Sequence, residues 1–144
     1  MEKVKLIKKG EANLESLIKE IKKNKEANKC GAIVTFTGIT RGRGYDGEKL
    51  TELHYEAAND MAVKDLEKIR SQILEEEHIK DLIIYHIIGD LKPGEDTIYI
   101  LALGEHRKET FNAAIKTLER IKESTPIWKK EYTTKQAYWV SEKK

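Results

Sequence analysis

A single cysteine, Cys30, stands in the 144 residues of this chain, which excludes an internal disulfide and any multi-cysteine zinc site and suits a reducing cytoplasm. Prolines number two, and the 27 basic residues are nearly cancelled by 25 acidic ones, for a formal net charge of +2. That balance excludes a global field that would draw in nucleic acid, so any preference for anions has to be local. The longest apolar runs, LIIYHII and TIYILALG, fall far short of the ~20 residues needed to span a bilayer, and the N-terminus has no apolar signal core. What is present is 39% hydrophobic and 36% charged residues, in a length that suits one domain over residues 1–144. The expectation is a globular protein with a heavily ionised surface, neither exported nor embedded in a membrane.

Periodicity divides the chain into ten elements. VKLI reads as a strand, and Leu14, Leu17, Ile18 and Ile21 at helical spacing predict a helix over 13–26. AIVTFTG reads as a buried strand and LTELHYEA as another, with a loop over 40–49 between them that its glycines make mobile. Asn59 is placed to cap a second helix with Ala62, Leu66, Ile69 and Ile73 inward. DLIIYHIIG and DTIYILALG form an antiparallel pair turned by Pro93 and Gly94. A third helix runs from His106 to Glu123, Pro126 ends it, and WKKEYT and AYWV make a last strand pair. The order β-α-β-β-α-β-β-α-β-β, with connections too short for crossovers, predicts an α+β fold built on an antiparallel sheet with three helices.

The chemistry points to the third helix. At 100° per residue, Phe111, Ile115, Leu118 and Lys122 share one stripe, so a lysine points where oily residues point. Such an ammonium either snorkels to water or marks a pocket for an anion. His106 and Arg107 open the same helix, where backbone amides already favour an anion. On the following strand, alternation puts Lys129 with Ile127 and Glu131, and Lys130 with Trp128 on the other face. One of the two lysines faces inward, and the sequence leaves open which. The TRGRG loop reads as a phosphate cradle, a small nucleic-acid patch or a plain surface loop, and it matches no nucleotide-binding spacing. His54, His78 and His86 share no ligand spacing, so no metal is expected; His86 reads as a satisfied strand residue and Cys30 as a packed side chain.

Taken together, GAIVTFTGITR, LHYEA with the helix from Met61, HIIGDLKPGE, the pair His106 and Arg107, and KESTPIWKKE resemble the large, catalytic subunits of the molybdopterin synthase family. The resemblance runs from Gly31 to Val140. It implies an α/β-hammerhead-type fold and a sulfurtransferase without cofactor or metal. In that reaction sulfur passes from the C-terminal Gly-Gly thiocarboxylate of a small ubiquitin-like partner to cyclic pyranopterin monophosphate, forming the dithiolene of molybdopterin. It also implies a homodimer of large subunits within a heterotetramer, each site borrowing residues from the neighbouring large subunit. By that resemblance Ile39, Thr40 and Arg41 bind substrate, and His106 and Arg107 come across the dimer. Lys122 and Lys129 are catalytic, and Lys130 and Glu131 complete the binding set. One departure stands out: Gly42, Arg43 and Gly44 follow Arg41, where family members often carry asparagine and histidine. The competing readings are a small basic module that grips RNA or another polyanion, and an adaptor whose groove accepts a tail without catalysis.

Overall fold

Two four-stranded sheets carry the chain, where the sequence predicts one. They are seen in a computed structural model that describes residues 1–141. The first sheet has the order β1-β4-β6-β2, built from β1 (Val4–Ile7), β2 (Ala32–Ile39), β4 (Ile79–Ile87) and β6 (Asp96–Gly104). The second has the order β5-β3-β7-β8, from β3 (Leu50–Ala57), β5 (Gly89–Leu91), β7 (Ile127–Thr133) and β8 (Ala137–Val140). All pairings are antiparallel except β1 with β4, which is parallel. The three predicted helices are α1 (Leu14–Ile21), α2 (Asn59–Leu74) and α3 (Arg107–Ser124). The α+β expectation is met, with one short strand, β5, added inside the segment read as a turn.

β4 and β6 lie in the middle of the first sheet and are buried on both faces, which is why they read as unbroken apolar runs. Leu82, Ile84, Ile98 and Ile100 pack one face against Leu66 and Ile73 of α2 and against Ala113 and Ile121 of α3. Ile83, Ile87, Leu101 and Leu103 pack the other against Leu17 and Ile21 of α1 and against Leu50, Leu53 and Leu91 of the second sheet. Each fully buried Leu or Ile stabilises by about 1.5–3 kcal/mol, and truncation of Ile100 to alanine would cost ~2–5 kcal/mol.

Local chemistry sets the helix ends. The Asn13 side chain accepts from the Ser16 N–H at 2.9 Å and caps α1. That helix stops at Ile21 rather than 26, and the chain closes with a 3-10 turn over Ala27–Lys29. Asn59 does not cap α2: Ala58 holds that position, and its N–H donates to the Pro126 carbonyl, so the strand hands over directly to the helix. α3 seats on β6 and β2 through small residues. Thr110 and Thr117 are fully buried there, their hydroxyls donating to the carbonyls of His106 and Ala113 at 2.6 and 2.7 Å. Gly104 allows this approach, because a Cβ there would collide with the Thr110 hydroxyl.

Candidate active site

Where β2 and α3 end, the first sheet meets the inward face of the second, and a cleft of about 790 Å³ opens between them. Arg41, Tyr55, His86, Thr97, Lys122 and Lys129 line it, drawn from five separate elements and a loop. Pro126 stops α3 and turns the chain into β7, so Lys122 and Lys129 are carried to the same opening. The backbone of Gly38 closes the wall, since a Cβ would stand 2.5 Å from the Thr97 hydroxyl oxygen and 2.9 Å from the Ile98 Cγ2.

Lys122 reaches this cleft by a different route from the predicted one. The buried face of α3 is Thr110, Ala113, Ala114, Thr117 and Ile121, not the Phe111 stripe. Phe111 and Ile115 are each 56% exposed and Lys122 is exposed, roughly 100° round the helix from the core face. Alanine and threonine let the helix approach the sheet closely, with Ile121 packed in the core and Leu118 partly buried against it, while Phe111 and Ile115 are left on its outer flank.

The register settles the two lysines of β7. Lys129 pairs with Tyr55 and faces the cleft, with its Nζ 5.4 Å from the centre of the Tyr45 ring. Lys130 points to the opposite face, over the rings of Tyr132 at 5.2 Å and Trp139 at 5.7 Å. It is therefore not brought into the cleft, contrary to its expected place in the binding set. Alternation along a strand forbids both neighbours from facing one site.

Glu131 faces inward with Lys129 and is only 5% exposed. Its Oε1 accepts from the Tyr45 N–H at 2.9 Å and from the Tyr138 hydroxyl at 2.7 Å. Burial and the bond to Glu131 push the Tyr138 phenol above its ordinary pKa. The same loop is held again at Asp46, whose carboxylate accepts from Thr133 at 2.8 Å and from Gln136 at 3.2 Å. Burial alone would raise the Asp46 carboxyl, but bonds from the Glu48 N–H, Thr133 and Gln136 outweigh it and hold the group below its ordinary value. Arg43 turns its guanidinium onto the Gly47 carbonyl of its own loop at 2.9 Å.

At the end of β2 and the start of the loop, the three expected contacts differ in kind. Ile39 is 62% exposed and lines the cleft with Arg41. Thr40 is buried, and its N–H and hydroxyl both donate to the Glu95 carbonyl, at 2.9 and 3.0 Å. It anchors Arg41 and keeps its own hydroxyl occupied.

His106 and Arg107 do not line the cleft of their own chain. Fifteen residues of helix, at about 1.5 Å each, put roughly 22 Å between the α-carbons of Arg107 and Lys122. His106 stands at the far end of α3, its ring edge-on to His78 at 4.9 Å, beside Glu105. The hydrogen bond from His78 holds the Glu105 carboxyl below its ordinary range, with Lys80 and His106 adding to it.

His86 is the cleft residue that periodicity does not single out. It is 6% exposed, with Nδ1 2.8 Å from the Ile87 carbonyl oxygen and its ring edge-on to Tyr55 at 4.8 Å. Its place in an apolar strand reads as packing, and only the meeting of the two sheets puts it on a cleft wall. Among the described residues no three His, Cys, Asp or Glu side chains are grouped to hold a metal ion, and no helix is long and apolar enough to cross a membrane.

The chain is 37% identical over 139 residues to the molybdopterin synthase catalytic subunit of Pyrococcus abyssi, covering 96% of this chain and 90% of that one. To the molybdopterin synthase catalytic subunit of Bacillus subtilis it is 36% identical over 136 residues, 94% of this chain and 83% of that one. Among solved structures, the crystal structure of molybdopterin synthase from Staphylococcus aureus superposes with a TM-score of 0.83 at 33% identity, covering 97% of this chain and 98% of that one. A complex of subunits 1 and 2 of molybdopterin-converting factor from Helicobacter pylori shares the fold, with a TM-score of 0.77 at 21% identity over 99% of this chain and 92% of that one. The sequence model described as MoaE protein matches residues 7–124, from the last residue of β1 to the last of α3, and this chain belongs to that family.

Proposed function

We propose that this chain is the large subunit of a cytoplasmic molybdopterin synthase, a sulfurtransferase. It moves sulfur from the C-terminal Gly-Gly thiocarboxylate of a small ubiquitin-like partner onto cyclic pyranopterin monophosphate, building the dithiolene of molybdopterin. One observation carries the reading: Arg41, Lys122 and Lys129, distant in sequence, line a single cleft. The names borne by its relatives point the same way. A cyclic phosphate and a thiocarboxylate are both anions, and the cleft volume lies in the range that accommodates a small molecule. Arg41 holds the phosphate bidentately, while Lys122 and Lys129 neutralise the thiocarboxylate and the oxyanion that forms as sulfur is transferred. Glu131 serves by positioning the loop after Arg41, since its carboxylate is occupied by Tyr45 and Tyr138.

The active unit is a homodimer of large subunits with a small subunit on each. Phe111 and Ile115 on α3 and Phe36 on the edge strand β2 are exposed apolar groups on neighbouring elements, and a second copy covering them removes that surface from water. In this arrangement His106 and Arg107 serve the neighbour's cleft. The polyanion-binding reading draws no support from Arg43, whose guanidinium bonds its own loop, or from Lys130, which lies over two aromatic rings.

The test mixes the protein with a thiocarboxylated ubiquitin-like partner and the cyclic pterin, and follows sulfur incorporation by mass spectrometry. The expected product carries two added sulfurs; a pterin that gains none under any condition defeats the reading.

A further inference from the structure

We propose that Glu95, in the turn between β5 and β6, is the positioning residue of Arg41: its carboxylate closes the turn, and the turn clamps Thr40, the residue that presents Arg41 to the cleft. The inference rests on the reading of Arg41 as the group that holds the cyclic phosphate, and it gives the DLKPGE segment a role beyond joining two strands.

The approach to Arg41 is not regular sheet. β2 and β6 pair in step as far as Gly38 and Ile98, but Ile39 then pairs with Asp96, so the ladder passes over Thr97. Such a slip turns the strand just where a side chain has to be aimed. Beyond it β2 ends, and three hydrogen bonds take over. The Thr40 N–H and hydroxyl both donate to the Glu95 carbonyl, at 2.9 and 3.0 Å, and the Gly94 N–H donates to the Thr40 carbonyl at 2.9 Å. These bonds fix the peptide groups on both sides of Thr40, including the one that joins it to Arg41. Thr40 is 3% exposed, so water does not compete for them. Gly42 follows Arg41 with the least restrained of backbones, which leaves the Thr40 clamp to set the near side of the arginine.

The clamp is only as firm as the turn that carries it. Glu95 closes that turn twice: its N–H donates to the Lys92 carbonyl at 3.0 Å, and its Oε1 accepts from the Lys92 N–H at 2.6 Å. Gly94 takes the left-handed φ of 89° between them. The bond from the Lys92 N–H, with Lys9 adding to it, holds the Glu95 carboxyl below its ordinary pKa, so the acceptor stays ionised. Lys9 reaches the same oxygen at 3.2 Å, but both side chains of that pair stand open to solvent and it contributes little. The bond to the Lys92 N–H is therefore what links the carboxylate, through the turn, to Thr40 and Arg41.

The test measures the dissociation constant of cyclic pterin by calorimetry, and kcat at saturating pterin with thiocarboxylated partner, for wild type, Glu95→Ala, Glu95→Gln, Arg41→Ala and the double variant Arg41→Ala with Glu95→Ala. Glu95→Ala is expected to weaken pterin binding about 10-fold with kcat little changed, as when one charge-assisted hydrogen bond to the substrate is displaced. Glu95→Gln, whose amide oxygen still accepts from the Lys92 N–H, is expected to bind close to wild type. In the Arg41→Ala background Glu95→Ala is expected to add nothing, because the group it positions is gone, whereas a merely structural role would add its loss in both backgrounds. Additive losses, or wild-type binding by Glu95→Ala, overturn the assignment while leaving sulfur transfer intact. Should Glu95→Ala fail to fold, Thr40→Val, which keeps the shape and loses the hydroxyl's bond to the Glu95 carbonyl, goes through the same cycle with the same two outcomes. No sulfur transfer by wild type removes the parent reading, and this one with it.

Discussion

Glu131 on β7 and Tyr45 in the glycine-rich loop, 86 residues apart, are joined by a hydrogen bond from the Tyr45 N–H to the buried carboxylate at 2.9 Å. The bond fixes where the loop leaves the cleft wall, and therefore where Arg41 is presented. Gly44 makes room for it, because a Cβ there would sit 2.9 Å from the same carboxylate oxygen and 2.8 Å from the Tyr138 hydroxyl.

Removing that acceptor takes a hydrogen bond from each of two donors. Glu131→Ala is expected to lower stability by about 1–3 kcal/mol, since the Tyr45 N–H and the Tyr138 hydroxyl both lose this acceptor. Glu131→Gln keeps an oxygen where both bonds converge and is expected to lose much less. Urea denaturation of the two variants decides it; equal losses would mean that charge, not hydrogen-bond acceptance, is what Glu131 supplies.

Acid stability turns on Asp81. The residue is 1% exposed, and its carboxylate accepts from Asn24 at 3.0 Å, Arg70 at 2.9 Å, Lys3 at 3.1 Å and the Leu82 N–H at 2.8 Å. Burial alone would raise this carboxyl, but the four donors outweigh it and hold the group below its ordinary pKa. A depressed folded-state value stabilises the protein above the unfolded value of about 3.9, and that stability is lost as pH falls through the folded value. Asp81→Asn is expected to cost about 1.5–3 kcal/mol at neutral pH and to flatten the loss of stability below pH ~4. Thermal melts across that range check it, and parallel curves for variant and wild type would refute it.

How far the sequence goes is clearest in α3. Its limits were legible because helical spacing and Pro126 bound it, yet its inward face was not. Apart from Ile121, that face is made of Thr110, Ala113, Ala114 and Thr117, which carry little hydropathic weight, while Phe111 and Ile115 face out. In β7, alternation says that Lys129 and Lys130 part company, but only the pairing with β3 tells which of them faces the cleft. The second sheet was hidden for the same reason: alternation groups residues by face and says nothing of which strand lies next to which. β5, with three residues, is too short to show a period, and the positive φ of Gly89, 107°, marks where the chain turns from β4 into the other sheet.

Loss of either cleft lysine should affect chemistry more than folding. Lys122 is exposed and its helix packs through other residues, so Lys122→Ala is expected to keep the wild-type melting temperature while turnover falls about 10²–10³-fold. Lys129→Ala should show a comparable fall, and Lys130→Ala, on the opposite face, a much smaller one. Sulfur incorporation assays on the three variants separate these outcomes; similar losses for Lys129→Ala and Lys130→Ala would mean that both faces of β7 serve the reaction.

The separation between the two ends of α3 makes the shared site testable by mixing. If each cleft draws Lys122 from one subunit and Arg107 from the other, Lys122→Ala and Arg107→Ala homodimers are both inactive. A mixed dimer then holds one cleft with both defects and one with neither. Subunits that re-associate at random form mixed dimers half the time, so about a quarter of the wild-type sites return. Unfolding and refolding the variants together, then assaying sulfur transfer, should recover that fraction, whereas co-refolding either variant with itself recovers none. No recovery, with mixed dimers demonstrated by mass, would mean that Arg107 acts within its own subunit or away from the reaction, and that the roughly 22 Å along the helix is not bridged by a partner.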